Sequence, residues 1–227
     1  MKITKFGHSC MLVDTSTPFD ETQDKSLSTR EGSLRILIDP GNYSTGQGEV
    51  KNINVILISH EHADHLDLSY FKTLVVNNPY AKIYSNPSVV ALLEKEGIKA
   101  EVVEAGKTIT EKGVAIEVFG RDHATMHSSI PPVRNVGYFI DSRLFYPGDA
   151  LILPGKPVEI LAFPITAPWS KIGEVIDYAL AIRPKVCFPV HDGNLKNTGA
   201  TYRLPTQILE PQGIKFMVFE LGREYGF

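Results

Sequence analysis

Between residues 55 and 67 the chain reads Val55-Ile56-Leu57-Ile58-Ser59-His60-Glu61-His62-Ala63-Asp64-His65-Leu66-Asp67. The opening five residues, Val55 to Ser59, have strand character, and a helix is predicted from about Asp67 to Val75. Three of the seven histidines fall between them. Side chains alternate with a period of two along an extended exit from a strand, so His60 and His62 project to one side. The turn into the helix then lets Asp64 and His65 aim at a neighbouring point. That geometry suits two adjacent metal ions, one offered two imidazoles and the other a carboxylate and an imidazole. Imidazole and carboxylate without thiolate favour Zn, Fe or Mn over Cu(I) or an iron–sulfur cluster.

Two metals need more donors than one loop supplies, and four further strand ends carry them. Ile36-Leu37-Ile38-Asp39-Pro40-Gly41 ends in an acid, as does Tyr146-Pro147-Gly148-Asp149-Ala150. Phe119-Gly120-Arg121-Asp122-His123 and Phe188-Pro189-Val190-His191-Asp192-Gly193 end in histidines. Any one of these could be a turn or a helix cap, but five such ends in one chain point to a shared site at the edge where strands terminate.

The remaining pattern is strand-rich. Lys2 to Phe6, Cys10 to Asp14, Leu34 to Asp39, Ala115 to Phe119, Val136 to Ile140, Leu144 to Tyr146, Val158 to Phe163, Lys185 to Val190 and Lys215 to Leu221 read as strands. Pro87 to Glu96, capped by Asn86, Ser170 to Ile182 and Pro205 to Leu209 read as helices. This mixture implies an α/β architecture with more than one sheet. The polar stretch at 15–33 is expected to be a long loop inside a single domain spanning 1–227.

Composition sets the class. The 227 residues are 43% hydrophobic and carry 23 basic against 26 acidic side chains, a net charge of -3, which excludes global disorder. It also argues against a dedicated nucleic-acid binder, which would carry a basic excess. Apolar runs are too short to span a bilayer, and Met1 to Lys5 does not resemble a signal peptide; a soluble, cytoplasmic protein is expected. Cys10 and Cys187 are expected to pack in the core, not to react or pair.

The His60–His65 motif, followed in order by the Asp149 and His191 segments, resembles the metallo-β-lactamase superfamily over residues 1 to about 195. The opening Phe6-Gly7-His8-Ser9-Cys10 resembles the branch of ascorbate-6-phosphate lactonase and N-acylphosphatidylethanolamine phospholipase D. The resemblance implies a four-layer αββα sandwich and two divalent metal ions, with Zn favoured and Mn or Fe admissible. It places His60, His62 and His123 on the first metal, Asp64, His65 and His191 on the second, and Asp149 between them. Asp39 and Ser59 would support the ligands from behind. His127 is the alternative to His123, and the spacing of four also allows both in one pocket, with His127 facing substrate. Asp64, His8 and His127 complete the expected catalytic set, His8 as a site-lining residue or proton relay and not a ligand.

The implied activity is hydrolysis by a metal-bridged hydroxide acting on a small anionic substrate, with lactones and phosphoesters leading. A phosphodiesterase or nuclease, and a non-catalytic metal-binding interaction protein, are the competing readings. Arg121, Arg134, Lys171 and Lys196 are candidates to meet an anionic group, and Trp169 either walls the pocket or plugs the core. No membrane or nucleic-acid partner is expected, and a homo-oligomer is compatible with the sequence.

Overall fold

The computed structural model describes residues 1–15 and 33–227. The polar loop expected at 15–33 therefore lies outside the described residues, except for Thr15 and Ser33 at its ends. The first half of the chain builds one sheet from β1 (Lys2–Gly7), β2 (Cys10–Thr15), β3 (Leu34–Ile38), β4 (Val55–Ile58), β5 (Lys82–Ser85) and β6 (Glu101–Val102). Helices α1 (Leu68–Asn77) and α2 (Pro87–Lys95) connect its later strands. A second sheet follows, with β7 (Thr108–Glu111), β8 (Val114–Phe119), β9 (Gly137–Ile140), β10 (Leu144–Tyr146), β11 (Ile160–Pro164), β12 (Val186–Val190) and β13 (Lys215–Phe216). It carries α3 (Ile172–Ile182) and α4 (Gly199–Leu209), and β14 (Glu224–Gly226) returns to pair with β1.

The strand orders are β14-β1-β2-β3-β4-β5-β6 and β13-β12-β11-β10-β9-β8-β7. In each sheet an antiparallel half adjoins a parallel half. From β3 to β6, and from β10 to β13, neighbouring strands run parallel. The central strands β4, β10, β11 and β12 are covered on both faces, which is why they read as unbroken apolar runs. Alternation within those runs sorts the side chains into three cores. Val55 and Leu57 of β4 meet Tyr138, Ile140, Leu144 and Tyr146 between the sheets. Ile56 and Ile58 point the other way, onto Phe71 and Leu74 of α1 and Val89 and Leu93 of α2. Phe145, Leu161 and Phe163 pack under Val175, Ile176 and Ala179 of α3. Three cores separate four layers, the αββα sandwich that the resemblance implied. Cys10 and Cys187 are fully buried and free, one in each outer core.

The expected elements recur with small shifts, and the differences have local causes. Asn86 caps α2 by accepting the N–H groups of Ser88 and Val89. Helix α4 starts at Gly199, earlier than expected, so Pro205 lies inside it and not at its first turn. The strand expected over Lys215 to Leu221 pairs only through Phe216, since Phe219 leaves the ladder to stack between Phe188 and Tyr225 at 4.5 and 4.3 Å. Strands β5, β6, β7 and β14 were not anticipated. They are short or polar, and pairing with a neighbour, not their own pattern, makes them strands.

One buried ion pair ties the sheets together. Lys5 of β1 donates to Pro189 O at 2.8 Å and to both oxygens of Asp192, at 2.6 and 2.7 Å, just beyond β12. The Tyr202 hydroxyl of α4 also donates to Asp192, at 2.7 Å. Both ionic side chains are almost fully buried, so removing one partner strands the other charge. Asp192→Ala is expected to lower stability by about 3–5 kcal/mol in denaturant unfolding, and the double variant Lys5→Met/Asp192→Leu to recover most of it.

Candidate metal centre

The carboxyl ends of β1, β3, β4, β8, β10 and β12 all reach one edge of the sandwich. They deliver His8, Asp39, His60 to His65, His123, Asp149 and His191 respectively. Three of these residues, His8, Asp39 and His191, have positive φ values of 46°, 43° and 61°. Such backbone is costly outside glycine and tends to gather where function requires it. Gly41 lets the β3 exit lie against the histidine loop: a Cβ there would fall 1.9 Å from Asp64 O. Asn42 N–H donates to Ala63 O alongside.

Three sets of donor atoms lie within 4.8 Å of one another: His60, His62 and His123; His8, Asp64, His65 and His191; and His60, His65 and Asp149. In most of these rings the nitrogen facing away from the centre is already engaged. His60 Nδ1 meets Ser59 Oγ at 3.0 Å, and His65 Nδ1 donates to Asp39 Oδ2 at 2.7 Å. His123 Nδ1 donates to Ala124 O at 2.6 Å, and His191 Nδ1 to Thr166 O at 2.7 Å. Each such bond fixes the ring and leaves Nε2 facing inward, as metal-binding imidazoles require. Asp39, fully buried, also accepts Ser59 N at 2.7 Å, Ser59 Oγ at 2.5 Å and the Tyr146 hydroxyl.

Two inward atoms are buried without a hydrogen-bond partner, His65 Nε2 and Asp149 Oδ1. They stand 3.3 Å apart. With Nδ1 donating to Asp39, both present lone pairs to the same space, and a proton or a cation must lie between them. The donor set thus fits divalent ions. The charges respond accordingly. Burial pushes His60 and His62 down, and neighbouring imidazoles add to this. Burial also opposes charge on His191, but hydrogen bonds to Asp149 and Asp64 outweigh it and lift the ring to about 9. For Asp149 burial works upward, yet His65, His123 and His191 hold it well below the usual carboxylate range. These groups compensate one another.

The other predicted residues divide. His127 is exposed, pairs with Ser129 at 2.8 Å and is not brought into any of the three sets. Arg121 and Arg134 both meet Asp122, at 2.9 and 3.7 Å. Lys171 is exposed beside Glu174 at 3.4 Å, and Lys196 is exposed. Trp169 is brought in: its indole N–H donates to Asp149 Oδ2 at 3.2 Å, and its ring stands edge-on to His123 at 5.9 Å. The loop after His123 is closed at its neck by an Asp122–Arg134 bridge and by His123 N–H to Val133 O at 2.9 Å. Its tip, residues 125–132, is exposed. Sequence reading missed Tyr146. An aromatic hydroxyl at the end of an inward-facing strand needs a buried acceptor, and that was the available signal.

Residues 24–191 match the beta-lactamase superfamily domain. The chain belongs to the metallo-β-lactamase superfamily. It is 35% identical over 196 residues to Protein Rv0786c of Mycobacterium tuberculosis, covering 84% of each chain. Identity to the UPF0173 metal-dependent hydrolase MJ1163 of Methanocaldococcus jannaschii is 24% over 206 residues, 83% of each. Among solved structures it is similar to Igni18, a metallo hydrolase of the archaeon Ignicoccus hospitalis, with TM-score 0.70, 19% identity and coverage of 100% and 98%. Among the described residues no helix is long and apolar enough to cross a membrane.

Trp169 is the only tryptophan in the chain, so its emission reports on Asp149. Titrating zinc into metal-free protein is expected to change that emission along a saturating curve, and Asp149→Ala to flatten it. Constant emission in wild type, while bound zinc is measured directly, would contradict the coupling.

Proposed function

We propose that this superfamily hydrolase works with two divalent cations, zinc in the first instance, on a small lactone or phosphoester. His60, His62 and His123 would hold the first cation, Asp64, His65 and His191 the second, with Asp149 shared. The observation that carries the reading is the facing pair His65 Nε2 and Asp149 Oδ1, buried without partners, with His65 shared by two of the three donor sets. When bound, such a cation pair supplies Lewis acidity and a water that ionises near neutral pH.

The protein's own part is orientation. Ser59, Ala124 O, Asp39 and Thr166 O engage Nδ1 of His60, His123, His65 and His191 and so turn Nε2 inward. Trp169 walls the His123 side of the site and Tyr43 the His8 side, where its ring centroid lies 5.2 Å from that of His8. Arg134 and Lys171 lie in exposed pairs with Asp122 and Glu174, contacts of little energetic weight. The negative charge of a phosphoester or of a lactone's transition state would be met first by the cations. The buried, satisfied thiols of Cys10 and Cys187 have no part in it: burial pushes Cys187 up to about 12.

The test is elemental analysis of untagged protein together with turnover of a lactone and phosphoester panel. About two equivalents of metal are expected, falling toward one in His191→Ala. His62→Ala and Asp149→Ala are each expected to abolish turnover while the protein stays folded by circular dichroism. Full turnover in both variants, or no metal retained or taken up by wild type, rejects the proposal.

A further inference from the structure

His8 sits in the turn between β1 and β2, fully buried and with positive φ. Its Nδ1 accepts the backbone N–H of Gly193 at 3.0 Å. A backbone amide can only donate, so Nδ1 carries no proton, and the neutral ring keeps its proton on Nε2. That Nε2 lies 3.0 Å from Asp64 Oδ2 and donates to it. Although His8 falls within the same set of donors as Asp64, His65 and His191, a protonated Nε2 has no lone pair for a cation.

The main chain of His8 does a second job. Its carbonyl accepts the N–H of His191 at 3.2 Å, and the ring centroids of the two histidines are 4.1 Å apart. Gly193 allows this close approach, since a Cβ there would lie 2.9 Å from His8 Cβ and 3.0 Å from Tyr43 O. One residue from the first sheet thus holds a carboxylate on the β4 exit and a histidine on the β12 exit.

We infer that His8 is a positioning residue: a tautomer-locked N–H donor that orients Asp64 and seats His191 for the second cation without binding it. The inference rests on the two-cation reading above. A buried ring locked at both nitrogens has no route to shuttle protons to solvent, which replaces the relay role considered from sequence.

The test uses the full chain labelled with 15N. His8 is expected to show a protonated Nε2 and an acceptor-type Nδ1 both in metal-free protein and after loading with zinc. Loss of the Nε2 proton on loading would make His8 a ligand and overturn the inference. A second measurement is calorimetric zinc titration of His8→Ala and His8→Gln, the glutamine amide restoring a donor near Nε2. The second equivalent is expected to bind about 10–100-fold more weakly in His8→Ala and close to wild type in His8→Gln. Equal loss in both variants, or no loss in His8→Ala, also overturns it. If His8→Ala does not fold, the wild-type spectrum decides alone. Absence of zinc binding in wild type would instead reject the two-cation reading, and the role of His8 with it.

Discussion

A carboxylate with no solvent exposure must be surrounded by donors, and Asp39 collects the backbone and hydroxyl of Ser59, the His65 ring and the Tyr146 hydroxyl. These groups come from β3, the exit of β4 and the last residue of β10, so both sheets converge on one side chain. Loss of that charge would leave several buried donors unpaired, each at a cost of about 1–3 kcal/mol. The same hydrogen bonds aim His65 and, through Ser59, His60. The inter-sheet junction and the orientation of the imidazoles are therefore one feature, and neither can be altered without the other.

The rest of the centre follows from topology. A sheet with a parallel half sends successive strands out at the same edge, and two such sheets packed face to face bring two sets of exits together. The connections that leave that edge carry the polar residues of the site. Once six imidazoles and two carboxylates share a largely buried space, burial alone would drive all of them neutral. Their mutual contacts prevent this: Asp149 and Asp64 stay ionised because His65 and His191 face them.

Much of this was legible in the residues. His60 to His65, Asp149 and His191 announce themselves by chemistry and by position at strand ends, and the unbroken apolar runs of β4, β11 and β12 announce doubly covered strands. What was hidden depends on partners. Thr108 to Glu111 becomes a strand because Val114 to Phe119 pairs with it. Tyr146 and Lys5 were read only as members of strands, because their partners Asp39 and Asp192 lie far along the chain. The partners of Arg134 and Lys171, Asp122 and Glu174, were likewise not named from the sequence. Spacing could not separate His123 from His127. The ladder does, because His123 N–H bonds Val133 O while His127 lies out on the tip.

That tip has a consequence for how such a protein can change. The neck from Asp122 to Arg134 is fastened on both sides, and Ala124 N–H is further pinned to Asp149 O at 2.8 Å. Residues 125–132 hang exposed outside this clasp, so substitutions there pass no strain to His123. The loop is thereby insulated: its sequence can drift, or be diversified in a library, while the inherited chemistry beneath it is kept intact.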